Sequence, residues 1–123
     1  MAGKIIADTL EHSTAGSLDT SYVVNGSAKV WVNFNQTGTQ AIRDSFNTAS
    51  LTDNGTGLST VNFTAALNNA NYSVQNTKGD AGYRGFHSVY TFLTGSFRLD
   101  ARNDSGNEAD ASIQLATVHG DLA

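Results

Sequence analysis

The sequence predicts an all-β fold: an antiparallel β-sandwich or jelly-roll-like domain with an extended N-terminal arm. Three observations point there. First, Ala28–Phe34 and Thr60–Ala66 alternate apolar and polar residues with the period of a half-buried strand. That spacing puts Val30, Val32 and Phe34 on one face of the first segment, and Val61, Phe63 and Ala65 on one face of the second. Second, about seven such short segments recur at 8–14-residue spacing, separated by turn signals rich in Asn, Asp and Gly. Third, Asn, Ser and Thr supply 38 of the 123 residues and Gly a further 12, whereas charged residues make up only 15%. Thr favours strands and the others favour turns. None is a strong helix former, so the surface is built from hydroxyls and amides on β structure.

The length suits one domain with a real core, read here as residues 21–123 behind an arm of residues 1–20. The arm carries Ile5, Ile6 and Leu10 ahead of a Ser13–Ser17 break. A helix over Ile5–His12 would be too short to stand alone, so the arm is expected to be extended and to dock on a neighbouring copy or another protein. Tyr22-Val23-Val24 before Asn25-Gly26 reads as a strand entering a hairpin turn. A strand over Lys29–Phe34 follows, then a turn at Asn35–Gly38, and a strand over Arg43–Leu51 with Phe46 as its chief anchor. Asp53–Gly57 is a turn, Val61–Ala66 a strand, Asn68–Asn71 a turn, and Tyr72 opens a short strand. Asn76–Phe86 has no clear alternation, with Gly79, Gly82 and Gly85 at every third position. Val89–Phe92 and Phe97–Arg102 read as strands, the latter with Arg98, Asp100 and Arg102 on its wet face. Asn103–Asp110 is a polar turn, and Ile113–His119 closes the fold. The Val-Asn-Phe triplets starting at Val32 and Val61 do not extend further, so they reflect shared strand chemistry rather than a repeat.

The chemistry-bearing residues form no catalytic pattern. A net charge of −4 with scattered basic residues argues against a nucleic-acid partner. Without cysteine there is no disulfide and no thiolate site. No secretory signal is visible, and no apolar run approaches the roughly 20 residues that span a bilayer, so membrane insertion is not expected. His12, His87 and His119 lack metal-ligand spacing, and no Gly-x-Ser-x-Gly elbow is present. The acid-rich Asn103–Asp110 stretch lacks the spacing of an EF-hand and reads as a solvated hairpin loop. No pair of carboxylates stands at a spacing that supports polysaccharide hydrolysis, the remote alternative. The chain is therefore expected not to be an enzyme, with no catalytic residue, metal or cofactor.

Binding is the better reading of the remaining features. Tyr83, Arg84, Phe86, His87 and Tyr90 interleave with glycines between Lys78 and Tyr90, and rings and Arg on such a loop suit recognition of a glycan or a protein surface. Trp31 faces away from Val30, Val32 and Phe34, which places it in a second buried layer or at a subunit interface. With Ile5, Ile6 and Leu10 it makes the candidate oligomer interface.

Several segments resemble a module of bacteriophage tail-fibre proteins and of small virion proteins of marine phages. They are Ala7–Leu10, Tyr22–Lys29, Trp31–Phe34, Ile42–Asn47 and Asp53–Gly57, with a looser likeness from Phe97-Arg98 through Val118–Asp121. About half the chain carries the likeness well. The resemblance implies a β-rich, usually trimeric structural or receptor-binding module of the virion, and it supplies no catalytic residues. Its partners would be copies of itself, other tail or capsid proteins, and a glycan or protein of the host surface. Tail-fibre proteins of this kind carry a head and shaft before the module, whereas this chain starts at Met1 without them. A fragment, or a short stand-alone protein that decorates the capsid or tips the tail, is therefore the expectation.

Overall fold

A computed structural model describes residues 3–79 and 85–122. Two short strands come first, β1 (Thr9–His12) and β2 (Gly16–Asp19), paired as an antiparallel hairpin. They lead into a seven-residue helix, α1 (Thr20–Gly26). Eight strands follow: β3 (Val30–Asn35), β4 (Ala41–Phe46), β5 (Thr48–Gly55), β6 (Leu58–Phe63), β7 (Ser73–Lys78), β8 (His87–Leu93), β9 (Ser96–Ala101) and β10 (Gln114–His119). They form two four-stranded antiparallel sheets, ordered β4-β3-β10-β7 and β5-β6-β9-β8. The fold is thus an all-β sandwich, as the alternation predicts.

The core lies between the central strands. Val30, Val32 and Phe34 of β3 and Ala116 and Val118 of β10 face Val61 and Phe63 of β6 and Phe97 and Leu99 of β9, and all are buried. The Phe63 ring stands 5.9 Å from those of both Tyr72 and Phe97. Tyr72 fastens one end of the sandwich. Its hydroxyl donates to the carbonyls of Leu93 (2.9 Å) and Ser96 (2.8 Å), across the turn from β8 to β9. Burial pushes its pKa up to about 12.

Several local expectations are corrected. Tyr22-Val23-Val24 is helical rather than extended, because Asp19 caps the helix: its side chain accepts from Ser21 N at 2.8 Å. The arm is not simply extended either. Its Ser13–Ser17 stretch contains the tight turn of the β1–β2 hairpin, in which His12 Nδ1 accepts from Ala15 N at 3.0 Å. The single strand expected over Arg43–Leu51 breaks at Asn47, whose φ is +53°. Asn tolerates this left-handed corner, and here the chain passes from one sheet to the other. The Asn47 side chain holds the corner by donating to Lys29 O and Ala65 O and accepting from Ala65 N. Phe46 consequently points outward and is 55% exposed, so it anchors nothing in the core. Ala65 lies beyond β6 and is exposed. The inward alternation of β7 continues through Val74, Asn76 and Lys78 into the stretch that seemed patternless. Asp100 is buried, not wet.

At the opposite end from Tyr72, the sheets are joined by buried polar groups. The side chain of Gln36, just after β3, donates through Nε2 to Ser59 Oγ (2.9 Å) and Gly57 O (3.2 Å), and its Oε1 accepts from Ala111 N (3.0 Å). Ser59 Oγ in turn donates to Gln40 Oε1 at 2.9 Å. Gly57 is the hub: its carbonyl also accepts from Ala101 N, and its N–H donates to Asp110 Oδ1 at 2.7 Å. Its φ is +71°, and a Cβ there would lie 2.3 Å from Ala101 O. Only glycine satisfies both constraints. Gly57→Ala is therefore expected to lower unfolding stability by about 2–4 kcal/mol in a denaturant titration; a loss below about 0.5 kcal/mol would contradict this role for Gly57.

Candidate functional site

The N-terminal elements present more apolar surface than the sandwich covers. Thr20 ties the arm to the helix start: Thr20 N donates to Asp8 O at 2.8 Å and Thr20 Oγ1 to Ala7 O at 2.7 Å. The Ser21 backbone and hydroxyl bonds hold the Asp19 carboxyl below its ordinary pKa. No residue of α1 is buried. Tyr22, Val23 and Val24 are instead exposed, together with Leu10 and Leu18 of the hairpin. Ile5 is 91% and Ile6 82% exposed.

Between α1 and the sandwich runs a groove of about 610 Å³, lined by Val23, Val24, Ala28, Phe46, Ala65 and Leu122, among others. Val23 and Val24 also border a second, smaller groove of about 310 Å³, with Ile5, Ile6 and Leu10 on its other side. Ile5, Ile6 and Leu10, expected at an interface, thus belong to one apolar surface. Val23, Val24, Phe46 and Leu122 join it. The sequence signal for the helix part was the Asp19-Thr20-Ser21 cap, overridden by the hairpin signal of Asn25-Gly26.

Trp31 is not in the lining of either groove but adjoins this surface through Phe46. It stands on the outer face of β3, paired with Phe46 of β4 and Thr117 of β10, and is 37% exposed. It forms no second buried layer within the chain. Its row continues through Thr117 to Gln75 of β7.

The expected aromatic binding stretch is divided. Tyr83 and Arg84 lie outside the described residues. Phe86, just before β8, is 70% exposed. Tyr90 stands on the outer face of the second sheet, with the Arg98 guanidinium 5.9 Å from its ring centroid. On the same face, Arg102 pairs with Asp100 (2.8 Å) and Glu108 (3.6 Å), and Asp100 raises its pKa first by hydrogen bonding and then by charge. Asp100, Glu108 and Asp110 thus serve ion pairs and a backbone cap. Among the described residues no three His, Asp or Glu side chains gather as a metal site.

His87 turns inward instead. It pairs with Ala101 on β9, near the edge where β7 and β8 face each other across the sandwich. Lys78 on β7 reaches over to donate to Arg102 O at 2.9 Å. Gln114, paired with Lys78 on β10, is fully buried. Its Nε2 and Oε1, Asn76 Nδ2 and His87 Nδ1 are buried atoms with no hydrogen-bond partner among the described residues. Sequence reading missed this polar interior because Asn76 and Lys78 fell in the stretch without alternation.

Nothing among family models, curated proteins or solved structures matches the chain.

Burial first, and the Lys78 charge second, lower the His87 pKa from 6.5. The unfolded chain therefore binds the proton more readily than the folded one. Stability should be full above pH 6.5 and fall as the pH drops from there through the folded-state value. His87→Gln should remove this step from urea titrations run between about pH 7 and 5; an unchanged step in the variant would assign it to other groups.

Proposed function

We propose that the chain is a structural protein of a bacteriophage virion, a tail-fibre or receptor-binding module that works as a homotrimer. The observation that carries the reading is the bare apolar surface of the arm, hairpin and helix. Ile5, Ile6, Leu10, Val23, Val24, Phe46 and Leu122 are exposed along the two grooves, a contiguous apolar surface rather than scattered single residues. A surface of that kind supports an interaction site for another protein. It lies beside the sandwich rather than in it, as suits an attachment element on a rigid module.

The low surface charge and the tail-fibre likeness of the segments around Trp31 support the same reading. Phe86, Tyr90 and Arg98 are then candidates for contact with a host glycan or protein. The bare arm also favours a second reading, a decoration protein whose arm docks on the capsid lattice. Imaging of intact particles distinguishes tail from capsid. In solution, the proposal predicts a particle of three chains by light scattering at micromolar concentration; a monomer across that range contradicts it. Alanine at Phe86 and Tyr90 should weaken adsorption to host cells, and unchanged adsorption would remove the receptor role from these residues.

A further inference from the structure

We propose that the groove between α1 and the sandwich is the seat of the Lys4-Ile5-Ile6 segment of a second copy. This rests on the homo-oligomer reading above and names the contact that builds the oligomer.

The segment is fixed at its base and bare beyond it. Thr20 Oγ1 holds the carbonyls of Ala7 (2.7 Å) and Asp8 (3.0 Å), while Ile5 and Ile6 just before them stay almost wholly exposed. An extended apolar stretch held away from its own core has low ordering cost when it meets a partner surface. The receiving groove, about 610 Å³ with Val24, Phe46, Ala65 and Leu122 in its wall, has ample room for two aliphatic side chains.

Continuity supports the match. Val23 and Val24 form the common wall between this groove and the one in which the chain's own Ile5 and Ile6 lie. An arm entering from a neighbour therefore extends the same apolar surface across α1. Lys4 precedes Ile5, and the exposed Asp121 precedes the wall residue Leu122; the cation in the wall, Lys29, is buried with its Nζ turned onto Ser27 O and Oγ, so the charge that an incoming Lys4 meets at the surface is that of Asp121. An exposed pair of this kind adds little affinity but sets orientation. The receiving wall is also rigid, since Asn47 ties Lys29, Ala65 and Thr64 together beside Phe46.

Each copy gives one arm and offers one groove. Passed on from copy to copy, such contacts close into a ring where the rotation allows, in keeping with a trimer, whereas reciprocal exchange between two copies makes a two-fold dimer; the mass in solution separates the two.

The chain has no cysteine, so introduced thiols report this contact alone. Ile5→Cys protein mixed with Ala65→Cys protein should cross-link under mild oxidation to a mixed dimer, faster than either forms its own dimer. The double variant should yield covalent multimers. Ile6→Asp, at an exposed position, should weaken association at least tenfold without moving the denaturation midpoint of the dissociated chain. An Ile6→Asp oligomer of unchanged mass with no mixed cross-link overturns the groove assignment and leaves the oligomer standing. A double variant that only closes within one chain overturns it as well. A monomeric wild-type chain at high micromolar concentration removes both.

Discussion

The carboxamide of Gln36 is the polar contact on which the relative placement of the two sheets depends. It leaves the end of β3 in one sheet and reaches Ser59 and the Gly57 carbonyl in the other, while accepting from Ala111 on the approach to β10. A buried amide costs stability unless its donors and acceptor are met, and those of Gln36 are met. Its acceptor Gly57 also fixes register within the second sheet: a shift of β6 against β9 would move Gly57 away from Ala101 and Asp110. Apolar packing between Phe34, Val61, Phe97 and Leu99 supplies the driving force. That packing is non-directional, and the amide contacts give it one arrangement. Tyr72 plays the matching part at the other end, by pinning the β8–β9 turn.

This closed sandwich explains why the N-terminal elements are left over. The inner faces of the eight strands satisfy one another, and no residue of α1 enters the core. The hairpin and helix are held mainly by local bonds, from Asp19 and Thr20 to neighbouring backbone. Elements of this kind have little stability of their own. Their apolar side chains stay largely exposed in the isolated chain, and the proposed homo-oligomer would cover them. A rigid sandwich and loosely held N-terminal elements are thus separate parts of the fold.

The sequence made the core strands legible because their alternation is strict. Val30, Val32 and Phe34, then Val61 and Phe63, then Phe97 and Leu99, face inward as the period demands. What it hid follows from competing local signals. Asn47 looks like an ordinary strand residue, yet its left-handed backbone turns Phe46 out and sends the chain to the other sheet. Asn25-Gly26 resembles a hairpin turn, but the Asp19 cap six residues upstream starts a helix that ends there. Gln36, Ser59 and Gln114 are polar and read as surface, because no periodicity distinguishes a buried amide from a solvated one. The aromatic stretch after Lys78 was legible only as a composition. His87, Tyr90 and Phe86 alternate along a strand entry and so point in different directions, which no count of aromatic residues reveals.

Native-state hydrogen exchange, followed amide by amide over a dilution series, tests the separation of the core from the N-terminal elements most directly. The account predicts that Ala111, Ala101 and the central strands β3, β6, β9 and β10 exchange only through global unfolding, whatever the concentration. In the most dilute sample, the amides of β1, β2 and α1 exchange orders of magnitude faster, and they gain protection as the concentration rises. Core-like protection of β1, β2 and α1 in the dilute monomer would contradict it, because those elements would then be part of the folded unit rather than surface waiting for a partner.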